Sequence, residues 1–265
     1  MTYFPQLSTG ALSQYPIKKR ISHRTIVNQL EDGTRVALVD ANAASIRWEM
    51  SYEGLSDEEG DALLAFFATV EGRLGSFTFF DPVSNLVGWS ETLSAAAWQR
   101  NGLLTVTSSV SDPLGTTRAS TVINTGAGTL TFGQELSIPG ATTCCWSFYA
   151  RSGAAEAISL TRTSGSMSAS VVGTAGPDWR RFELSSSLPA GDTTSIFELS
   201  LNASVELDLF GFQVDAQPAA SQYVQTSAAG GVYTAARFDM DEITITGTGP
   251  NQSSCTLQLI TRVNG

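Results

Sequence analysis

Apolar and polar residues in this chain alternate far more often than they recur at helical spacing. Ile46, Trp48, Met50 and Tyr52 take turns with Arg47, Glu49, Ser51 and Glu53, a period of two that predicts a strand with one buried face. Upstream, Ile17 to Leu30 has strand character and a basic start. Glu31-Asp32-Gly33-Thr34 supplies an Asp-Gly turn, and Arg35 to Val39 reads as the returning strand of a hairpin. One segment breaks the pattern. Ser56 and Glu59 have the spacing of a capping box, and Asp57, Glu58 and Glu59 place negative charge at the positive end of a helix dipole. Leu63, Leu64, Phe66, Phe67 and Val70 then form an apolar stripe, with Gly72 as the stop, so a helix is predicted over about 56–72. A strand over Gly75 to Phe80 ends at Asp81-Pro82.

From about residue 84 the texture changes to Ser, Thr, Gly and Ala. Short β-like runs recur between turns: Leu103 to Ser108, Arg118 to Ile123, Thr129 to Leu136, Cys144 to Ala150, Ala157 to Thr163, Met167 to Val172, Arg180 to Ser185, Ser195 to Leu201 and Glu206 to Val214. Turn material lies at Pro113-Leu114-Gly115, Pro139-Gly140 and Pro189-Ala190-Gly191. Many short strands at this spacing predict a β-sandwich. The last stretch, Tyr233 to Val263, reads as two strands around the loop Gly247 to Asn251, with Asp239 and Asp241 alternating on a strand. It is too short to fold alone. The expectation is therefore a discontinuous domain, 1–83 plus 232–265, interrupted by a sandwich over 84–231.

Composition narrows what such a chain does. Of its 265 residues only 15% are charged, Lys18 and Lys19 are the only lysines, and the net charge is −10. That balance argues against gripping nucleic acid or an anionic membrane surface. The start has no basic region followed by an apolar run, and no stretch is long and apolar enough to insert in a membrane. Cys144, Cys145 and Cys255 form neither a disulfide framework nor a zinc spacing, and read as small buried residues in a reducing compartment. Any nucleophile system of the Ser-His-Asp kind would need His23, the only histidine, and no acid beside it in sequence would orient it. The carboxylates Asp239, Asp241 and Glu242 have the density for glycoside hydrolysis but read better as a charged strand edge. No Asp-x-Asp-x-Asp-Gly run marks a calcium loop, although loop calcium is common in such sandwiches, and no phosphate loop or dinucleotide motif is present. No catalytic, metal or cofactor residue is assigned, and an enzyme is not expected.

Two resemblances add to this reading. Phe4-Pro5-x-Leu7-Ser8-Thr9-Gly10-Ala11, Gln14-Tyr15-Pro16, Arg24-Thr25, Trp48-x-x-x-Tyr52-x-Gly54-Leu55-Ser56-Asp57-x-Glu59 and Gly72-Arg73-x-x-x-Phe77-x-Phe79-x-Asp81-Pro82-x-x-Asn85-Leu86 resemble the distal tail, or minor tail, proteins of long-tailed phages and gene transfer agents. Nearly all of 1–86 is covered. The inserted segment is similar to carbohydrate-binding-module-like sandwiches through Asn85-Leu86, Trp98, Gly115-Thr116-Thr117, Ser147-Phe148-Tyr149-Ala150-Arg151, Trp179-Arg180-Arg181-Phe182, Gly211-x-Gln213 and Tyr223-x-x-Thr226. Asp215 stands where that pattern often has a glutamate. The fold implied is mainly β: a tail-tube-like sandwich or barrel with one helix, interrupted by a jelly-roll-like sandwich.

The implied function is structural, a hexameric ring at the virion tail tip. Its partners would be further copies of itself, the tail tube protein and the tail hub protein, with DNA passing through the ring. The alternative is a carbohydrate-binding adhesin contacting a host cell-surface glycan, and a glycoside hydrolase ranks third. For a glycan, aromatic stacking beside polar side chains singles out Trp98 with Arg100 and Asn101, whereas Trp146 and Trp179 read as packing. For a subunit interface, the aromatic and basic start singles out Tyr3, Phe4, Tyr15, Lys18, Lys19 and Arg20.

Overall fold

The computed structural model describes residues 2–189 and 192–263, with the backbone alone at 41 and 42. Strand β1 (Ile17–Gln29) and strand β2 (Arg35–Leu55) form a long hairpin, followed by helix α1 (Asp57–Thr69) and β3 (Phe77–Phe80). Ten strands come next: β4 (Gln99–Arg100), β5 (Leu104–Val110), β6 (Ala119–Asn124), β7 (Leu130–Leu136), β8 (Cys144–Arg151), β9 (Glu156–Ser164), β10 (Met167–Ala175), β11 (Arg180–Ser186), β12 (Ser195–Leu201) and β13 (Glu206–Asp215). The chain ends in β14 (Val232–Phe238), β15 (Thr246–Gly249) and β16 (Gln252–Arg262). It packs as two compact units. One comprises the residues up to Ser8, Leu12–Phe79 and those from Tyr233 on; the other is Phe80–Val232 with Thr9–Ala11.

In the first unit a single sheet runs β1-β2-β16-β14-β3, with β15 paired to β16. Its inner face carries Ile46, Trp48, Met50 and Tyr52, all buried as the alternation predicts. Phe4, Phe66, Phe77 and Phe238 gather there with ring centroids 5.1–6.4 Å apart. Helix α1 has the predicted capping box: Ser56 accepts from the Glu59 amide while the Glu59 carboxylate accepts from the Ser56 amide. Leu63 and Val70 are buried and Phe66 and Phe67 half-buried, but Leu64 is exposed. The buried set is spaced i, i+3, i+4, i+7, which leaves position 64 off the stripe.

The Asp-Gly turn forms as read, with Gly33 at φ +83° and Asp32 accepting from the Thr34 amide. The return strand is longer than the pattern suggested, because β2 runs unbroken from Arg35 to Leu55. Its register with β1 breaks between Ser22 and Arg24, and Asp40 is the partner of Arg24. Only Ser45–Leu55 of β2 pairs with β16. Among the described residues, the outer hairpin from Arg24 to Asp40 therefore pairs only with itself. The carboxy-terminal turn also differs from expectation. It falls at Pro250-Asn251, with Gly247 to Gly249 inside β15, and β14 stops at Phe238, so Asp239 and Asp241 lie beyond a strand.

The second unit is an open sandwich of two five-stranded antiparallel sheets, β10-β9-β12-β7-β4 and β11-β8-β13-β6-β5. No barrel closes. The last two positions of the turn expected at Pro189-Ala190-Gly191 lie outside the described residues. Between the sheets, Phe132, Trp146, Phe148, Phe197, Leu199 and Phe212 are buried. The inward positions of β9 are Ile158, Leu160, Arg162 and Ser164, so a guanidinium sits in the core. Arg162 is 0% exposed. It donates to the carbonyls of Thr142, Ser186, Pro139 and Gly140 and to Ser195 Oγ, and lies over the Phe197 ring at 5.4 Å. It acts as a staple for loop carbonyls that would otherwise be buried without donors. Arg162→Met leaves four buried carbonyls without their donor and should cost about 2–3 kcal/mol. Urea unfolding measures it; a loss below about 1 kcal/mol would show that water satisfies those carbonyls instead.

Candidate functional site

The two outer faces of the sandwich are treated differently by the chain. Over the β11-β8-β13-β6-β5 sheet runs the segment Ser221 to Thr226. Strand β13 bulges at Gly211, with φ +66° and the Tyr223 ring 3.3 Å from where a Cβ would sit. Gln213 donates to Asp215 and Ser221 Oγ and accepts from the Val224 amide. Arg181 donates to the Ser221 carbonyl, Tyr223 meets Ser90 and Glu91, and Thr226 Oγ1 donates to the Val87 carbonyl. Buried Asn85 donates to the Phe212 and Val224 carbonyls and accepts from the Val87 and Val214 amides. Much of the sandwich-like motif read in the sequence, Asn85, Arg181, Gly211, Gln213, Tyr223 and Thr226, thus forms a structural latch.

The latch is anchored by carboxylates. Arg118 pairs with Glu91 at 2.9 Å and with Asp112 at 3.7 Å. Burial raises the Glu91 carboxyl above its ordinary value, more than the Tyr223 hydrogen bond and Arg118 lower it. Burial also works against the Asp112 carboxylate, but bonds from Thr116 and from the Arg118, Thr116 and Leu114 amides outweigh it and bring the pKa down to about 2.

The outer face of the β10-β9-β12-β7-β4 sheet is bare. Cross-strand registers align Gly133, Glu198, Thr161 and Ser170 in one row and Thr131, Ser200, Ser159 and Val172 in the next. Side chains alternate across a strand, so these face away from buried Phe197, Leu199, Ile158 and Leu160. At one end, Gln99, Arg100, Asn101, Thr129, Thr131 and Glu198 line an open depression of about 410 Å³. The surface is rich in hydroxyl donors and acceptors, with a carboxylate near its middle. It can exchange hydrogen bonds with a polyhydroxylated ligand, and it presents no aromatic ring.

The expected glycan residues divide here. Trp98 is 3% exposed, its ring stacked on Phe132 at 4.8 Å and edge-on to Phe212. Its Nε1 donates to the Trp89 carbonyl. It is core, and no face of it is left for a sugar. Arg100, which donates to the Leu93 carbonyl, and Asn101, which accepts from the Leu103 amide, do line the depression. Sequence reasoning missed Glu198, Thr131 and Thr161, although their alternation with buried Phe197, Phe132 and Leu160 carried the signal. Trp146 is buried as read, and half-buried Trp179 has the Arg151 guanidinium over its ring at 4.8 Å.

The expected interface residues also separate. Phe4 is 3% exposed inside the aromatic cluster of the first unit and is unavailable to another subunit. Tyr3 is half-buried and bridges Thr78. Tyr15 is exposed, Lys19 half-buried, and Lys18 and Arg20 reach Glu49 at 2.6 and 3.8 Å. The three cysteines are free and buried, and burial pushes Cys144 and Cys145 up to about 12 and Cys255 up to about 11. Among the described residues, no group of three or more His, Cys, Asp or Glu is placed to hold a metal. No helix among the described residues is long and apolar enough to cross a membrane.

No protein-family model matches the chain, and no curated protein matches it. Solved structures similar to it include TmCBM61 in complex with β-1,4-galactotriose, at 16% identity and a TM-score of 0.39 over 49% of this chain and 97% of that one. The family 22 carbohydrate-binding module of Clostridium thermocellum Xyn10B matches at 14% identity and a TM-score of 0.42, over 52% and 94%. The enzymatically active domain of bacteriophage CBA120 tailspike protein 4 matches at 14% and 0.42, covering 56% of this chain and 23% of that one.

The turn from Asp112 to Arg118, beside the latch, has a pH signature. A carboxylate whose folded pKa is depressed adds stability above its ordinary value of 3.8, lost as pH falls toward about 2. The wild type should lose thermal stability over that window more steeply than Asp112→Asn. Parallel melting-temperature curves down to pH 2 would show that the Asp112 carboxylate does not stabilise its turn.

Proposed function

We propose that this is a non-catalytic attachment protein whose sandwich contacts carbohydrate and whose first unit holds it in a multi-copy tail-tip assembly. The observation that carries the reading is the asymmetry of the sandwich: one outer face is crossed over β13 by the chain itself, the other is uncrossed and lined with hydroxyls and Glu198. Without a stacking ring the expected affinity is weak, on the order of 1 mM per site. Presentation of several copies side by side turns weak sites into useful avidity.

The assembly half has its own support. The outer hairpin exposes Val39 (81%), Leu30 (52%), Leu38, Val27 and Ile26. An isolated two-stranded hairpin is marginal in water, and burying such side chains contributes roughly 1.5–3 kcal/mol each. The arm is suited to a neighbouring subunit, in line with the resemblance of 1–86 to distal tail proteins. The finer reading is a ring joining tail tube to hub at the virion tail tip.

A glycan array probed with the full chain, displayed in multiple copies, should give selective binding that Glu198→Ala with Thr161→Ala reduces at least about tenfold. Asp239→Asn should leave it unchanged. Binding that survives the double substitution with the fold intact would place the sugar elsewhere.

A further inference from the structure

The first unit of this acidic chain concentrates arginine on the outer face of its sheet. Arg20 of β1 lies opposite Arg47 of β2, Arg47 opposite Ile260 of β16, and Ile260 opposite Arg237 of β14. Neighbouring strands are about 4.8 Å apart, so these residues form one transverse row. Lys18 lies two positions along β1 and Arg262 two along β16, on the same face. Arg73, Arg237 and Arg262, with one carboxylate, Asp239, line a depression of about 580 Å³. Glu49, Asp239 and Asp241 neutralise part of the band, pairing with Lys18, Arg47 and Arg73. Arg262 is exposed and has no ion pair among the described residues.

The matching charge lies at the far end of α1. Asp57, Glu58 and Asp61 are exposed in its first turns, whereas Arg73 follows its carboxy-terminal end. Thirteen residues of helix span about 20 Å. The acidic first turn is too far from the carboxy-terminal end of α1 to pair with Arg262 across the helix, but the two are placed to meet head to tail between copies. We infer that the arginine depression receives the acidic first turn of α1 from a second copy of this chain. A nucleic acid backbone fits less well, because a continuous row of phosphates would run past Glu49 and Asp241 along the band, whereas one helix turn meets only the depression, where Asp239 is already paired with Arg47.

This inference rests on the assembly half of the function proposed above. Sedimentation velocity on the full chain tests it with two variants, Arg237→Glu with Arg262→Glu, and Asp57→Arg with Glu58→Arg. The wild type should associate, and less so as salt rises. Each variant should associate roughly tenfold or more weakly, while an equimolar mixture of the two restores assembly, because each supplies the partner the other lacks. Because Arg237 also donates to the Leu74 carbonyl, Arg262→Glu alone serves as a second variant and should weaken association in the same direction. Wild-type association unaffected by any variant would overturn this contact while leaving assembly standing. A wild type that stays monomeric at high micromolar concentration would overturn both. Binding of duplex DNA that is lost in Arg262→Glu would replace the inferred partner with a polyanion.

Discussion

The second unit depends on one buried carboxamide. Asn85 makes four hydrogen bonds that tie the chain entering the sandwich to β13 and to the segment leaving it. The Gly231 amide donates to the Asn85 carbonyl and the Asp81 amide to the Gly231 carbonyl, so the two ends of the unit meet at this point. Ends that lie side by side let a sandwich be carried within another fold. The same bonds hold Val224 down, and with it the segment from Ser221 to Thr226 that crosses one sheet at β13. A carboxamide is the side chain that can do this, because it offers two donors and an acceptor with two lone pairs.

With one sheet crossed by the chain at β13, the other is the face left uncrossed. Its chemistry follows from the two-residue period of its strands. Buried Ile158, Leu160, Phe197 and Leu199 force Ser159, Thr161, Glu198 and Ser200 outward. A face of hydroxyls without rings is weak for each copy, so the reading of the sandwich as an attachment surface needs the first unit to supply number. The bare hairpin and the arginine band are the features of that unit suited to neighbours.

Local signals carried much of the fold. The capping box of α1, the Asp-Gly turn and the alternation of β2, β9 and β12 are set by residues a few positions apart, and these were legible. Long-range packing was not. Trp98 stands beside Gln99, Arg100 and Asn101, which looks like a wet surface, yet its ring turns toward Phe132 and Phe212, far away in sequence. Phe4 sits in a terminal segment with no period, and only the gathering of Phe66, Phe77 and Phe238 makes it core. Arg162 occupies an inward strand position that pattern alone gives to an apolar residue. Its reason lies in loop carbonyls that no periodicity marks. For the candidate site, period two told which side chains share a face but not which face the chain would cover.

The central claim, that the uncovered hydroxyl-lined sheet is the carbohydrate surface, is tested most directly by amide chemical-shift mapping as oligosaccharides drawn from an array hit are titrated in. The account predicts fast-exchange shifts confined to Gln99–Asn101, Thr129–Thr131, Ser159–Thr161 and Glu198–Ser200. Shifts centred on Ser221–Thr226 and Tyr149, or none up to saturating sugar, would contradict it.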